Sequence, residues 1–346
     1  MIFNRNFFTY LSYMKFFTFF SIFILYLFIN FKVLAQDSAS IIMYHRFGNS
    51  NYPSTNIQME RFKQHILELK NDKYTVLSLK EIISRLRSGK ELPKYTVGLS
   101  IDDAFISVYK NAWPILKEAN LTFTLFVATD PVDQGLSGYM SWNQIRELKK
   151  YGVEIGSQTK SHPHLHLLSK DEVRREIDLS NQRFIDELGE KPELFAYPYG
   201  EYNNATRKIA EEKFIASFGQ HSGALHASHG FHDLPRFAMN ENYGSIDRFI
   251  LAASSLPFII SEINPKDPVI KENPPSYGFT LEKDFENIKQ IQCFTSGIGE
   301  AEVTVIGKRV EVRFSKSFFR PRHRVNCTMP ASEGRWRWFG RQFLLN

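Results

Sequence analysis

From residue 39 to about residue 250 the chain alternates short apolar runs with amphipathic segments of helical period. No other feature constrains its fold as strongly. "SIIMYH" (40–45), "YTVLSL" (74–79), "YTVGLSID" (95–102), "TFTLFVA" (122–128), "VEIGS" (153–157), "ELFAY" (193–197), "FIASF" (214–218) and "LPRFAM" (234–239) read as strands. Between them, residues 57–70 place Ile57, Phe62, Ile66 and Leu69 on one helical side, and "KEIISRLRSG" forms a second helix that stops at Gly89. Further helices are expected over 107–119, 141–150, 204–212, from Ile246, and from Ser169, where Glu172 completes a capping box. Strands and helices in such alternation require a parallel sheet, most economically closed into a barrel, with a doubly wound open sheet as the alternative.

The pattern breaks at Pro257. Residues 257–278 carry five prolines and no helical period, and read as a linker or an extended crossing segment. Beyond it "AEVTVIG", "RVEVRFS" and "RWRWFGRQFLL" alternate with period two. The expected organisation is therefore a leader over 1–35, an α/β barrel domain over 36–256 and a small all-β, sandwich-like domain over 257–346. Cys293 and Cys327 are expected to pair there.

The leader reading rests on Lys15, an apolar run from Phe16 to Phe31, and "VLA" ahead of Gln36. This is the layout of a signal peptide cut after Ala35, and implies a periplasmic or extracellular protein. The run is shorter than the ~20 residues of a spanning helix, although an uncleaved leader would anchor the chain. With 43 Lys+Arg against 37 Asp+Glu the chain is mildly basic, with no long basic run of the kind that tracks phosphates. Charge alone does not decide between nucleic acid and another anionic partner, and no nucleic-acid partner is expected. An anionic polymer is an acceptable partner.

Three motifs fall at the carboxyl ends of expected strands, where the active sites of barrels and open α/β sheets gather. "LSIDDAF" ends an apolar strand in Asp102 and Asp103, which point to different sides, so one carboxylate can hold a metal while the other faces a reacting water. "GSQTKSHPHLHLL" sets His162, His164 and His166 close behind Gln158. "FAYPYGEYN" turns at Pro198-Tyr199-Gly200, which brings the Tyr199 backbone N–H to the same rim, where it can stabilise an oxyanion. A capped turn, a histidine-rich surface loop and an ordinary β-to-α turn are the respective bland readings.

Together, in this order, the three motifs resemble those of the polysaccharide deacetylases of the NodB-homology type, carbohydrate esterase family four. The resemblance covers roughly residues 40–250 and includes the lead-in "YMSWNQIRELKKYGVEIGS". It implies a distorted (β/α) barrel that removes N- or O-acetyl groups from an acetylated polysaccharide with one divalent metal ion, often zinc. On that resemblance Asp102 matches the catalytic base, Asp103 and His162 match metal ligands, and Tyr199 matches the oxyanion donor.

Two positions depart from the family pattern. Gln158 stands where its first ligand His belongs; the amide oxygen can bind a cation more weakly, or His164 or His166 can replace it. Ala196 replaces the Arg that usually orients the base. Arg236 could supply charge near the carboxylates, and His45, His226, His229 and His232 are candidates for the general acid. Trp336, Trp338 and Phe339 could stack on sugars, or simply pack the sheet. The expected activity is metal-dependent deacetylation of a glycan. The alternatives are an inert glycan-binding protein of the same fold and an amidase acting on small cyclic C–N bonds.

Overall fold

The computed structural model describes residues 35–345, so the leader read over the first 35 residues lies outside the described part but for its last residue. No described helix is long and apolar enough to cross a membrane.

The first layer is a curled, almost wholly parallel sheet. Its strands are β1 (Ser38–Tyr44), a two-residue β2 (Thr75–Val76), β3 (Thr96–Asp102), β4 (Thr124–Val127), β5 (Glu154–Ser157), β6 (Leu194–Ala196), β7 (Ala216–Phe218), β8 (Ala224–His226) and β9 (Phe237–Ala238). The order is β7-β6-β5-β4-β3-β1-β8, with β9 beside β1 and β2 beside β3; of these, β8 alone runs antiparallel. The path does not return to its start, so the barrel is open. β1 and β3 are buried along their whole length, as expected for central parallel strands covered on both faces.

Helices α1 (Met59–Leu69), α2 (Leu79–Arg87), α3 (Trp113–Glu118), α4 (Trp142–Lys150), α5 (Lys170–Leu188), α6 (Asn204–Lys213) and α7 (Ile246–Ala253) pack around this sheet. α1 buries Phe62, His65, Ile66 and Leu69. The Ser169–Glu172 capping box starts α5, and Ser141 with Gln144 builds a second one on α4.

Three elements depart from the sequence expectation for local reasons. The strand expected over 74–79 shrinks to two residues because Ser78 caps α2, its side chain accepting from the Glu81 N–H. The helix expected over 107–119 opens into a π turn, Val108–Ala112, before α3. Pro114 supplies no N–H and crowds the carbonyl four residues back, which the wider turn relieves. Residues 234–239 pair in two pieces, Leu234 with Phe218 and Phe237–Ala238 with β1, since Pro235 between them cannot donate to a ladder.

The C-terminal layer is one hydrogen-bonded antiparallel sheet, bent so that its two halves face each other across a shared core: Tyr277 and Phe343, on strands five places apart, bring their rings to 5.2 Å. β10 (Ile260–Asn264), β11 (Tyr277–Leu281), β12 (Gln292–Thr295), β13 (Gly299–Ile306), β14 (Arg309–Arg313), β15 (Arg322–Pro330) and β16 (Trp336–Leu344) run in the order β10-β11-β14-β13-β12-β15-β16. The segment expected to be a linker thus supplies the edge strand β10, and its prolines fall outside that strand. Phe258, Tyr277, Phe279, Val310, Val325 and Phe343 form the separate core of this sheet. Cys293 and Cys327 face each other across β12 and β15 and form the expected disulfide. At their separation of 34 residues, the cross-link is worth roughly 3–4 kcal/mol by loop-closure arguments.

β16 joins the two layers. Leu256 exchanges backbone hydrogen bonds with Trp336 and Trp338, both 2.8 Å. A Cβ on Gly340 would lie 2.1 Å from the Ser222 carbonyl, so the strand can approach this closely only with glycine there. Trp338 packs edge-on against Phe237 and carries the Arg248 guanidinium on its face. Phe339 packs against Phe279. These two aromatics are therefore packing residues, while Trp336 remains 36% exposed.

Buried histidines give the fold a pH dependence. His65 donates from Nε2 to the Gly244 carbonyl (3.0 Å), which leaves Nδ1 to accept from the Tyr44 hydroxyl (2.9 Å). Burial lowers its pKa to about 4, and that of His229 likewise to about 4. Between pH about 6.5 and about 4 the unfolded chain then binds more protons than the folded one, so stability is full above that window and falls through it. The loss approaches about 3 kcal/mol per histidine. The melting temperature should begin to drop below pH 6.5, well above the carboxylate range. A flat profile down to pH 5 would contradict this.

Candidate active site

Parallel strands deliver their carboxyl ends to one rim, and the three motifs meet there. The backbone at this rim is unusual. Asp103, Ala104, Thr159, His162 and Tyr199 all take positive φ (74°, 49°, 69°, 59° and 59°). Each such non-glycine residue costs of the order of 1 kcal/mol, and a cluster of them persists where surrounding structure fixes a functional geometry. In the third motif, Gly200 has φ +70°, and a Cβ there would meet the Gln220 backbone nitrogen at 2.4 Å.

Asp102, at the end of β3, is wholly buried. Arg236, also wholly buried, grips it in a two-pronged pair: Nη1 donates to Oδ1 (2.6 Å) and Nη2 to Oδ2 (2.8 Å). Arg236 is held in turn by the Gly219 carbonyl on Nε (2.9 Å) and by the Ser100 hydroxyl. Ala196 leaves room at its own position, and the orienting guanidinium arrives from the segment leading into β9. Gln220 Nε2 donates to Asp102 Oδ2 at 3.4 Å, and His45 Nε2 stands 3.8 Å from the same oxygen.

Asp103 turns the other way. Its Oδ1 is 3.4 Å from His162 Nε2 and is a buried oxygen without a hydrogen-bond partner. Burial raises its pKa, but the neighbouring His162 ring and the His45 and Arg46 charges outweigh that and hold the carboxyl below its ordinary value. Gln158 lies fully buried alongside. Its Oε1 accepts from the Asp103 N–H (3.2 Å), and its Nε2 has no partner.

These facts bear on whether the residues suit a divalent ion. Asp103 and His162 converge with an unused carboxylate oxygen, which a cation would satisfy. Gln158 as placed offers an N–H, but turning its amide costs only the 3.2 Å bond, since the Asp103 N–H keeps a 3.0 Å bond to the Phe126 carbonyl. The donor set therefore fits an ion held by one carboxylate, one imidazole and one amide oxygen, a weaker zinc site than one with two imidazoles.

The structure places the other named histidines elsewhere. His164 and His166 turn to Glu201, at 2.5 and 3.4 Å, instead of joining Asp103 and His162. His226 bonds Ser228 and lies 3.0 Å from Asp37, His229 bonds the Phe258 carbonyl, and His232 bonds Ser217. Among the four candidate acids, His45 is the one beside the carboxylates.

Tyr199, in the third motif, packs its ring against the histidines of the second. His164 stacks on its ring (4.3 Å, 13°), while His162 meets it edge-on (4.5 Å, 72°). Burial, with the Asp103 and Glu201 charges, raises the phenol's pKa, so the hydroxyl stays neutral. The C-terminal sheet braces this turn: Arg322 donates to the Tyr199 carbonyl (2.9 Å) and Gln342 to the Gly200 carbonyl (3.0 Å).

Gln220, Ser100, Glu201 and Arg322 were not singled out from sequence. Gln220 was within reach of the same strand-end rule, being two residues past β7, and Ser100 and Glu201 lie inside the first and third motifs; Arg322 is brought in by tertiary packing.

Residues 89–215 match the family model described as polysaccharide deacetylase. The chain is 27% identical over 172 residues to the Bacillus subtilis protein YxkH, covering 50% of this chain and 60% of that one. It is 26% identical over 195 residues to a Staphylococcus aureus poly-beta-1,6-N-acetyl-D-glucosamine N-deacetylase, covering 49% and 67%. The chain thus spans about 60–67% of these relatives' lengths. Among solved structures, the Streptococcus pyogenes deacetylase PplD in complex with acetate superposes with a TM-score of 0.58 at 26% identity, over 62% of this chain and 98% of that one. IcaB from Ammonifex degensii gives 0.56 at 23% identity, over 64% and 98%, and speaks for the fold.

Proposed function

Because this chain belongs to the polysaccharide deacetylases of the NodB-homology type, we propose that it hydrolyses N-acetyl groups of an exported polysaccharide with the help of one divalent metal ion. The observation that carries this reading is the buried Asp102–Arg236 pair beside Asp103 and His162. The Staphylococcus relative, an N-deacetylase of a glucosamine polymer, supports the N-acetyl choice.

Asp103, His162 and Gln158 would hold the ion, which when bound supplies Lewis-acid polarisation of the acetyl carbonyl and a water of lowered pKa. Asp102 accepts the proton of the attacking water. Arg236 keeps both oxygens of that carboxylate oriented, and Gln220 restricts it further. The Tyr199 backbone N–H donates to the oxyanion as the tetrahedral centre forms. His45 gives a proton to the leaving nitrogen, so acetate and a free amine result. The Arg322 and Gln342 contacts keep the Tyr199–Gly200 turn in place.

The test is acetate release from β-linked N-acetylglucosamine oligomers in the presence of Zn2+, Co2+ or Mn2+. One free amine is expected per acetate. No release with any of these ions would overturn the reading in favour of an inert glycan-binding protein.

The third ligand position has its own test. Gln158→His is expected to tighten Zn2+ binding by about 10–100-fold, since imidazole binds zinc better than an amide oxygen. Competition with a chromogenic chelator would measure it, and unchanged affinity would remove residue 158 from the ligand set.

A further inference from the structure

A second group of metal-binding donors, one of them stacked on the Tyr199 ring, is unused by the proposed hydrolysis. His164, His166 and Glu201 each offer one ligand atom, and these atoms lie within 4.8 Å of one another. Glu201 is only 4% exposed. Arg322 Nη1 occupies its Oε1 at 3.2 Å and so turns Oε2 toward both imidazoles, as an outer partner orients a metal-binding carboxylate. His164 Nδ1 donates to that oxygen at 2.5 Å.

His166 is the telling residue. Its side chain is 6% exposed, and Nδ1 lies 3.4 Å from Glu201 Oε2, yet that nitrogen has no hydrogen-bond partner. An unmet buried polar atom costs about 1–3 kcal/mol, which a bound cation would recover. The 3.4 Å spacing is also about the edge of a tetrahedron whose donors lie ~2.1 Å from a central ion. The two rings stand at 89° with centroids 6.1 Å apart, so their nitrogens can converge without the rings colliding. Burial lowers the His166 pKa, which favours the neutral, metal-competent ring. His164, with half its side chain exposed, leaves a path for the ion and a fourth position for water.

We propose that His164, His166 and Glu201 form a binding site for a borderline transition-metal ion, separate from the Asp102–Asp103–His162 centre. Two imidazoles and one carboxylate select Zn2+, Co2+ or Cu2+ over Mg2+ and Ca2+. The ion replaces the proton shared by His164 and Glu201, and that pair opens by less than about 1 Å to reach the tetrahedral spacing. This places a metal-stiffened loop against the stacked ring of Tyr199, and it holds whether or not the first centre binds metal.

The experiment titrates Zn2+ into the full chain and into Asp103→Asn/His162→Ala, with Co2+ absorption as a second readout. The double variant should keep one Zn2+ per chain and give tetrahedral Co2+ bands. Adding either His166→Ala or the half-exposed His164→Ala should weaken that ion at least about tenfold, with circular dichroism reporting that the fold is intact. A double variant that binds no Zn2+ overturns the inference while leaving the deacetylase centre standing if the native chain binds one ion. An ion retained in the double variant and indifferent to both histidine substitutions overturns it as well. A single ion in the native chain that survives in the double variant and is lost with His166→Ala supports the site and removes metal from the deacetylase reading.

Discussion

Arg236→Met is expected to cost about 3–5 kcal/mol of folding stability and to leave no measurable deacetylation. Both partners of the Asp102–Arg236 pair are wholly buried, so removing the guanidinium strands a carboxylate in the core with only Gln220 and His45 near it. Asp102→Asn should suffer the mirror-image penalty, because it strands the guanidinium. The double variant Asp102→Asn/Arg236→Met removes both charges and should recover most of the stability that either single variant loses, a coupling of at least about 2 kcal/mol. Its activity should stay down by about 10²–10⁴-fold, the usual contribution of a general base. Urea melts and acetate release on the four proteins separate folding from chemistry. Additive stability losses would mean that the pair is not the interaction that fixes Asp102.

His45→Gln is expected to lower kcat by about 10²–10⁴-fold with KM little changed, as for loss of a general acid. The glutamine keeps a polar group near Asp102 and cannot deliver a proton at neutral pH. His45 is largely buried but close to solvent, unlike Arg236, so the variant should melt near the native temperature. A loss in kcat at unchanged KM and unchanged melting temperature is what a merely structural role for the imidazole would not produce. Equal loss after His226→Gln, whose ring lies at Asp37 and Ser228, would remove His45 from that role.

Much of this arrangement was legible in the sequence because the strand-end rule converts linear order into spatial proximity. Asp102, Asp103, Gln158, His162 and Tyr199 all follow parallel strands and therefore reach one rim without any knowledge of helix packing. Arg236 was legible only as a charge that could lie near the carboxylates. Nothing local says that a guanidinium just past Pro235 turns inward and grips both oxygens of Asp102; the vacancy at Ala196 only signalled that an orienting group was missing. Glu201 was hidden for a similar reason, since its meeting with His164 and His166 depends on the Tyr199 turn and on Arg322 from a sheet more than a hundred residues later. The misread elements have local causes. A capping serine cut one strand to two residues, Pro114 widened a helix turn, and a proline-rich stretch concealed the edge strand β10 because proline density masked five residues that contain none.

The account's central claim is that acetyl hydrolysis here depends on a divalent ion held beside Asp102. The most direct measurement is acetate release from the N-acetylated oligosaccharide by the native chain, by the same protein after chelation, and by the chelated protein given back one ion at a time. Chelation is expected to abolish release, and Zn2+, Co2+ or Mn2+ to restore it with one amine per acetate. Release that is unchanged by chelation, or that no ion restores, would contradict it.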